Sequence, residues 1–234
     1  MSRAETAHAR YWFEKALEHD PNYAAALALL ARTKGHESLF HPSAELVDGA
    51  MSLARRAVAL DPNESLTHEA LAIVHLDGLS HGRGSHAVAA RELETALRLN
   101  PNNPDLMMSR ALQCTYSGQA GVALRLVEKA ERLNPSLPNG YLSNRGFALF
   151  QLRRYAEAAE ALERVTSPAH WDHYYLAACY ANLGRQNEAR LQIAKTVEKA
   201  PFLTLSSFSL RSWYADPVDL EHALDGLRRA GLPE

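Results

Sequence analysis

Two groups of histidines are the places where this chain could do chemistry. His81 and His86 flank Gly82-Arg83-Gly84 inside the run Gly78-Leu79-Ser80-His81-Gly82-Arg83-Gly84-Ser85-His86. Imidazoles on such a loop could ligate a metal, and its backbone amides could face a phosphate. The run lacks Gly-Lys-Ser/Thr, and within it no carboxylate or cysteine completes a ligand set. A lengthened surface turn is the plainer reading. His170 and His173 bracket Asp172 at a spacing that shares one helix face, but a third ligand is not evident, and a solvated helix start is plainer. Serine, histidine and aspartate all occur without a nucleophile elbow or other catalytic context. The sequence therefore carries no enzyme signature and no cofactor motif. Cys114 and Cys179 lack paired spacing and read as small core residues of a reducing compartment. The pairs Arg153-Arg154 and Arg228-Arg229 read as helix-surface charge.

The elements that must position these side chains are helices that repeat. Pro101 and Pro135 are 34 residues apart and enclose two helical patterns split by Ser117-Gly118. Gly118 can leave the first helix without a Cβ penalty. The second carries apolar Val122, Leu126 and Val127 with small Ala123 and Ala130 where a neighbour must come close. The same stop recurs at Asp20-Pro21, Asp61-Pro62, Asn100-Pro101, Asn134-Pro135 and Ala200-Pro201. A proline has no N–H and forces the residue before it out of the helical region. Ala9, Ala50, Ala89, Ala123 and Ala189 stand upstream of their prolines, and Ala16, Ala57, Ala96, Ala130 and Thr196 five before. A period near 34 with two helices per period is the pattern of an all-α solenoid, whose helix pairs bury their apolar faces only by stacking.

These residues resemble the tetratricopeptide repeat (TPR) family over almost the whole chain. The resemblance implies a right-handed superhelix of antiparallel helix pairs. Residues 1–201 form the array, with units near 22–62, 63–101, 102–135, 136–168 and 169–201, and residues 202–234 form a capping helix pair. Residues 1–21 fit only the second helix of a repeat and read as the end of a unit cut from a longer chain. Asn22 to Lys34 reads as a first helix, Gly35 to Pro42 as a loop, and Ser43 as the cap of the next helix. Leu205 to Tyr214 reads as a further first helix, and Asp216-Pro217 as the start of a last helix closed by Gly231.

In the family the first helices line the hollow of the superhelix. The positions that resemblance places there are Glu69, Ile73 and Asp77, then Met108, Leu112 and Tyr116, then Ser143, Phe147 and Gln151, then Trp171, Tyr174, Ala178 and Asn182. This row is apolar and aromatic with few charges, which suits a helix or extended peptide. Ordinary core is the competing reading for Ile73, Leu112 and Phe147. Chaperone-binding relatives read a C-terminal carboxylate with lysines and asparagines. Here the corresponding residues are Ala28, Arg32, Glu69, Ile73, Met108 and Leu112, so that clamp is absent.

The bulk numbers narrow the partners. Apolar residues make up 47% and charged residues 22%, enough to bury a core. A net charge of −2 lacks the basic excess of a nucleic-acid or membrane-surface binder. No signal-peptide run occurs in Met1 to Arg10, and no stretch approaches a bilayer span, so a soluble cytoplasmic protein is expected. The segment Asp216 to Glu234 resembles the end of C-terminal TPR regions in bacterial class III adenylate/guanylate cyclases; related regions follow winged-helix regulators. That resemblance implies a regulatory or docking region of a bacterial signalling protein, bound to a partner segment or to its own upstream domain. Two alternatives stand beside it. One is a dimerisation element using Trp12 and Phe13 of the first helix. The other is a metal- or small-ligand-sensing domain using His81, His86, His170 or His173.

Overall fold

Four of the helix-ending residues before a proline share one conformation. Asp61, Asn100, Asn134 and Ala200 have φ between −139° and −130° and ψ between 73° and 86°. The proline ring excludes the helical region for the residue before it, and each helix stops there. Asp20 and Asp61 add a second lock, since the carboxylate of each accepts from the amide two residues on, at 2.9 and 3.2 Å.

The computed structural model describes residues 3–40, 43–210 and 213–234. Among the described residues are thirteen α-helices, one short 3-10 turn and no strand. The chain divides into two compact units, residues 1–109 and 110–234. In the first, α1 (Arg3–His19) packs on α2 (Ala24–Phe40), and α2 packs on α3 (Ala44–Leu60). Next, α4 (Ser65–Asp77) lies against α2 and α3 and pairs with α5 (His86–Leu99). Helix α6 (Pro104–Tyr116) begins in one unit and ends in the other. In the second, α7 (Ala120–Leu133) contacts α8 (Asn139–Gln151), which pairs with α9 (Tyr155–Glu163). Then α10 (His170–Asn182) pairs with α11 (Gln186–Lys199), followed by α12 (Leu205–Leu210) and α13 (Pro217–Ala230). Ala50, Ala57, Ala89, Ala96, Ala123, Ala130 and Ala189 have no exposed surface, as close approach of paired helices requires. Thr196 occupies the same register, equally buried, and its hydroxyl donates to Gln192 O at 2.9 Å.

Caps follow the sequence. Ser43 accepts from the Leu46 amide, and Asp216 accepts from Val218 with Pro217 at the first helical position. Gly231 closes α13 in the left-handed region, at φ 94°.

Two expectations are corrected. Gly35 to Phe40 is helix, not loop, because α2 runs on to Phe40; His41 and Pro42 lie outside the described residues. Gly35 is a contact glycine rather than a helix stop. A Cβ there would stand 2.9 Å from Asp77 Oδ2 and 3.4 Å from Val74 Cγ2. The helix expected over Leu205 to Tyr214 stops at Leu210. Trp213 and Tyr214 are not helical, and Arg211 and Ser212 lie outside the described residues.

The turns inside the later helix pairs need a left-handed residue. Gly118 and Gly184 supply it at φ 77° and 75°, but Arg153 does so at φ 59°. A side chain in that region costs roughly 1–2 kcal/mol. Arg153→Gly should therefore stabilise the second unit by about 0.5–1 kcal/mol after the entropy of the freer unfolded chain is deducted. Urea denaturation checks this, and an unchanged or lower midpoint would contradict it.

Candidate docking surfaces

The expected site residues fall on the first helices of their pairs, and each unit presents its own set. In the first unit Glu69, on α4, is buried and held from two sides. Arg32 Nη1 donates to Glu69 Oε2 at 3.2 Å, and Ser109 Oγ donates to Oε1 at 2.7 Å. Ile73 is half-buried and Met108 buried. Asp77 is buried at the end of α4, and its Oδ2 has no hydrogen-bond partner among the described residues. Desolvation pushes its carboxyl up to about 7, with the Arg32 charge pulling the other way.

In the second unit the residues converge. Tyr116 from the end of α6, Phe147 from α8 and Tyr174 from α10 meet on Tyr175, a fully buried neighbour outside the row expected from sequence. The Phe147 and Tyr175 rings are 4.5 Å apart, Tyr174 and Tyr175 are 4.8 Å apart, and Tyr175 Oη donates to Tyr116 Oη at 3.1 Å. Burial pushes the Tyr116 phenol up to about 12 and Tyr174 and Tyr175 well above the usual range, so all three stay neutral donors. Leu112 and Trp171 are half-buried, and Ser143 is buried as a donor to Asp172 Oδ1 at 2.6 Å.

The chain's own C-terminal segment lies on this row. Trp213 and Tyr214 pack edge-on against Tyr116, with ring centroids 5.4 and 5.1 Å away. The Tyr214 hydroxyl takes a hydrogen bond from Gln151 Nε2 and pairs with Tyr175 Oη at 2.6 Å. The Ala215 amide donates to the Tyr116 carbonyl at 2.8 Å. Helix α13 continues the cover along α10. A Cβ on Gly226 would be 3.0 Å from Ala178 Cβ and 3.2 Å from Asn182 Nδ2, and Arg229 donates to Asn182 Oδ1. His222 stacks on Phe150 at 4.6 Å, and its Nε2 meets Tyr155 Oη at 2.9 Å. Among Phe150, Tyr174, Tyr175, Ala178, Phe208, Ala223 and Leu227 no room is left for even a water-sized molecule. Sequence alone does not foretell this cover, because Trp213-Tyr214 scans as the end of a helix. Its one signal is an adjacent aromatic pair just before the Asp216-Pro217 helix start.

Asp172 and His173 are tied into the helix packing. Asp172 spends one oxygen on Ser143 and the other on the Ala169 amide at 2.7 Å, and His173 Nδ1 meets Gln192 Oε1 at 2.8 Å. Burial pulls His170 down to about 4. Gly84, between His81 and His86, is wedged against the end of α4, where a Cβ would stand 2.0 Å from His75 O. Among the described residues no three of histidine, cysteine, aspartate and glutamate stand together as a metal site. No helix among them is long and apolar enough to cross a membrane.

Paired helices in this register also occur in solved proteins. Over 97% of its length the chain superposes on a chain of the APC/C hetero-tetramer Cut9-Hcn1, with a TM-score of 0.69 and 18% identity. The fold is TPR-like. A thermophilic TPR protein of Thermus thermophilus matches with a TM-score of 0.57 and 20% identity, over 85% of this chain and 98% of that one. A TPR protein from Parabacteroides merdae gives 0.57 and 15%, over 97% and 86%. The chain spans 40% of the length of the APC/C chain it matches. No family model matches the sequence, and no curated protein matches it.

Proposed function

We propose that this chain is a non-catalytic protein–protein interaction scaffold that docks a partner segment on its rows of first helices. One observation carries the reading. In the second unit that row already holds a non-helical stretch of polypeptide, bound by a main-chain hydrogen bond from Ala215 and by two aromatic side chains. Main-chain bonding with side chains seated beside it is how peptides are commonly recognised. TPR-like folds support the same role, since stacked helix pairs offer long rows of side chains. The residues we assign to partner contact are Glu69, Ile73, Asp77 and Met108 in the first unit. In the second they are Leu112, Tyr116, Phe147, Gln151, Trp171, Tyr174 and Asn182. The resemblance of residues 216–234 to cyclase C-terminal regions supports a regulatory or docking role in a cytoplasmic bacterial signalling protein.

Selecting binders from a random peptide library tests this. Bound peptides should slow amide exchange on α4, α6, α8 or α10. Protection confined to α3, α5, α9 and α11, or the lack of any binder, would refute it.

A second reading rests on α1. Tyr11 and Trp12 are about half exposed there, with Trp12 Nε1 donating to His8 Nε2 at 2.9 Å. An aromatic surface of this kind can pair two chains. Sedimentation should then show a dimer that Trp12→Ser disperses, and a monomer at high concentration would end that reading.

A further inference from the structure

We propose that Trp213-Tyr214-Ala215, with α13 behind it, is a ligand held in cis on the second unit. The partner that displaces it is an extended segment with two adjacent aromatic side chains, the second a phenol, and a hydrogen-bond donor beside it. The inference rests on the docking reading above and names the partner chemistry for that row.

Three observations converge on it. First, the segment is non-helical and each residue makes contacts a free peptide could reproduce. Trp213 lies against the Tyr116 ring, Tyr214 reaches Gln151 and Tyr175 with its hydroxyl, and Ala215 donates its amide to Tyr116 O. Second, its fit is incomplete. Gln151 gives Nε2 to Tyr214, but its Oε1 is buried with no partner among the described residues. His222 Nδ1, on the helix behind, is orphaned in the same way. A buried acceptor left unpaired costs free energy that a better ligand recovers. A partner bringing a donor next to its phenol would satisfy both ends of the Gln151 amide, which the cis segment does not. Third, the cis segment competes as a tethered ligand, whose effective concentration weakens every segment arriving in trans. Occupancy of the row therefore reports the balance between the two.

The probe is a labelled peptide of residues 211–218, Arg-Ser-Trp-Tyr-Ala-Asp-Pro-Val, titrated into the full chain by fluorescence anisotropy. The chain carrying Trp213→Ala and Tyr214→Ala should bind it at least about 10-fold more tightly than the natural chain, with unchanged circular dichroism. A peptide with both aromatics replaced by alanine should bind neither. Amide exchange provides a readout that needs no substitution. Saturating peptide should speed exchange of the Ala215 amide in the natural chain, because its bond to Tyr116 O is lost. Equal affinity of both chains, or binding that leaves Ala215 protected, overturns the proposal even where library peptides still map to the first helices. Loss of Ala215 protection on self-association, without peptide, would assign the row to a second copy and also overturn it.

Discussion

Gly84→Ala should lower the stability of the first unit by about 3 kcal/mol or more, the largest loss expected from any single methyl group in this chain. The added Cβ would stand 2.0 Å from His75 O, 2.4 Å from Leu79 N and 2.9 Å from Gly78 C. All three are backbone atoms, so no side-chain rotation relieves the overlap. The loop must move as a body, pulling the 3-10 turn Gly78–His81 off the end of α4. Gly82, two residues away, is the control. It sits at φ 65° with nothing within 4 Å of a built Cβ, so alanine there costs only the left-handed penalty of roughly 1–2 kcal/mol. Urea denaturation of both variants should rank Gly84→Ala well below Gly82→Ala. Equal midpoints would show that the loop is not wedged against α4. Packing thus explains Gly78 and Gly84 of this histidine-rich run, and a left-handed backbone explains Gly82.

The second large effect comes from Asp77. Its carboxyl is lifted from 3.8 to about 7 by burial, so the folded chain holds that proton more tightly than the unfolded chain does. Stability from this group is full below about pH 4 and is lost as pH rises through 7. The full linkage is on the order of 4 kcal/mol, since a tenfold difference in proton affinity is worth about 1.36 kcal/mol. His36 and His75 work in the opposite sense. Burial lowers both, so their contribution is present above 6.5 and is lost as pH falls from there through their lowered folded-state values. The difference between the natural chain and Asp77→Asn isolates the aspartate. Asparagine cannot ionise, so at pH 8 the variant should be more stable by roughly 1–3 kcal/mol, after one unpaired amide is deducted. The gap should close near pH 5. Denaturation at pH 5, 6.5 and 8 checks this, and a gap independent of pH would contradict it.

Both effects lie where the sequence is least readable. Its punctuation is legible because it is local. A proline constrains the residue before it whatever surrounds it, so Asp61, Asn100, Asn134 and Ala200 adopt one conformation. The small residues at fixed distance from each proline are legible because a period shows itself in one chain. Gly35 scans as a helix stop because its reason for being glycine, Asp77 on another helix, is 42 residues away. The expected row does lie on first helices, but nothing local announces its cover. Trp213-Tyr214 has the same hydropathy at a helix end as in a non-helical strap. Only the tertiary partners Tyr116, Gln151 and Tyr175 decide between the two.

The chain's two cysteines both fall in the second unit, and neither has exposed surface. Burial also raises the Cys179 thiol far above its usual range, so almost no thiolate is present at neutral pH. Alkylating reagents should then modify these sulfurs only when that half of the chain opens. Mass-resolved alkylation becomes a built-in clock for its opening, blind to events in residues 1–109 and requiring no engineered label.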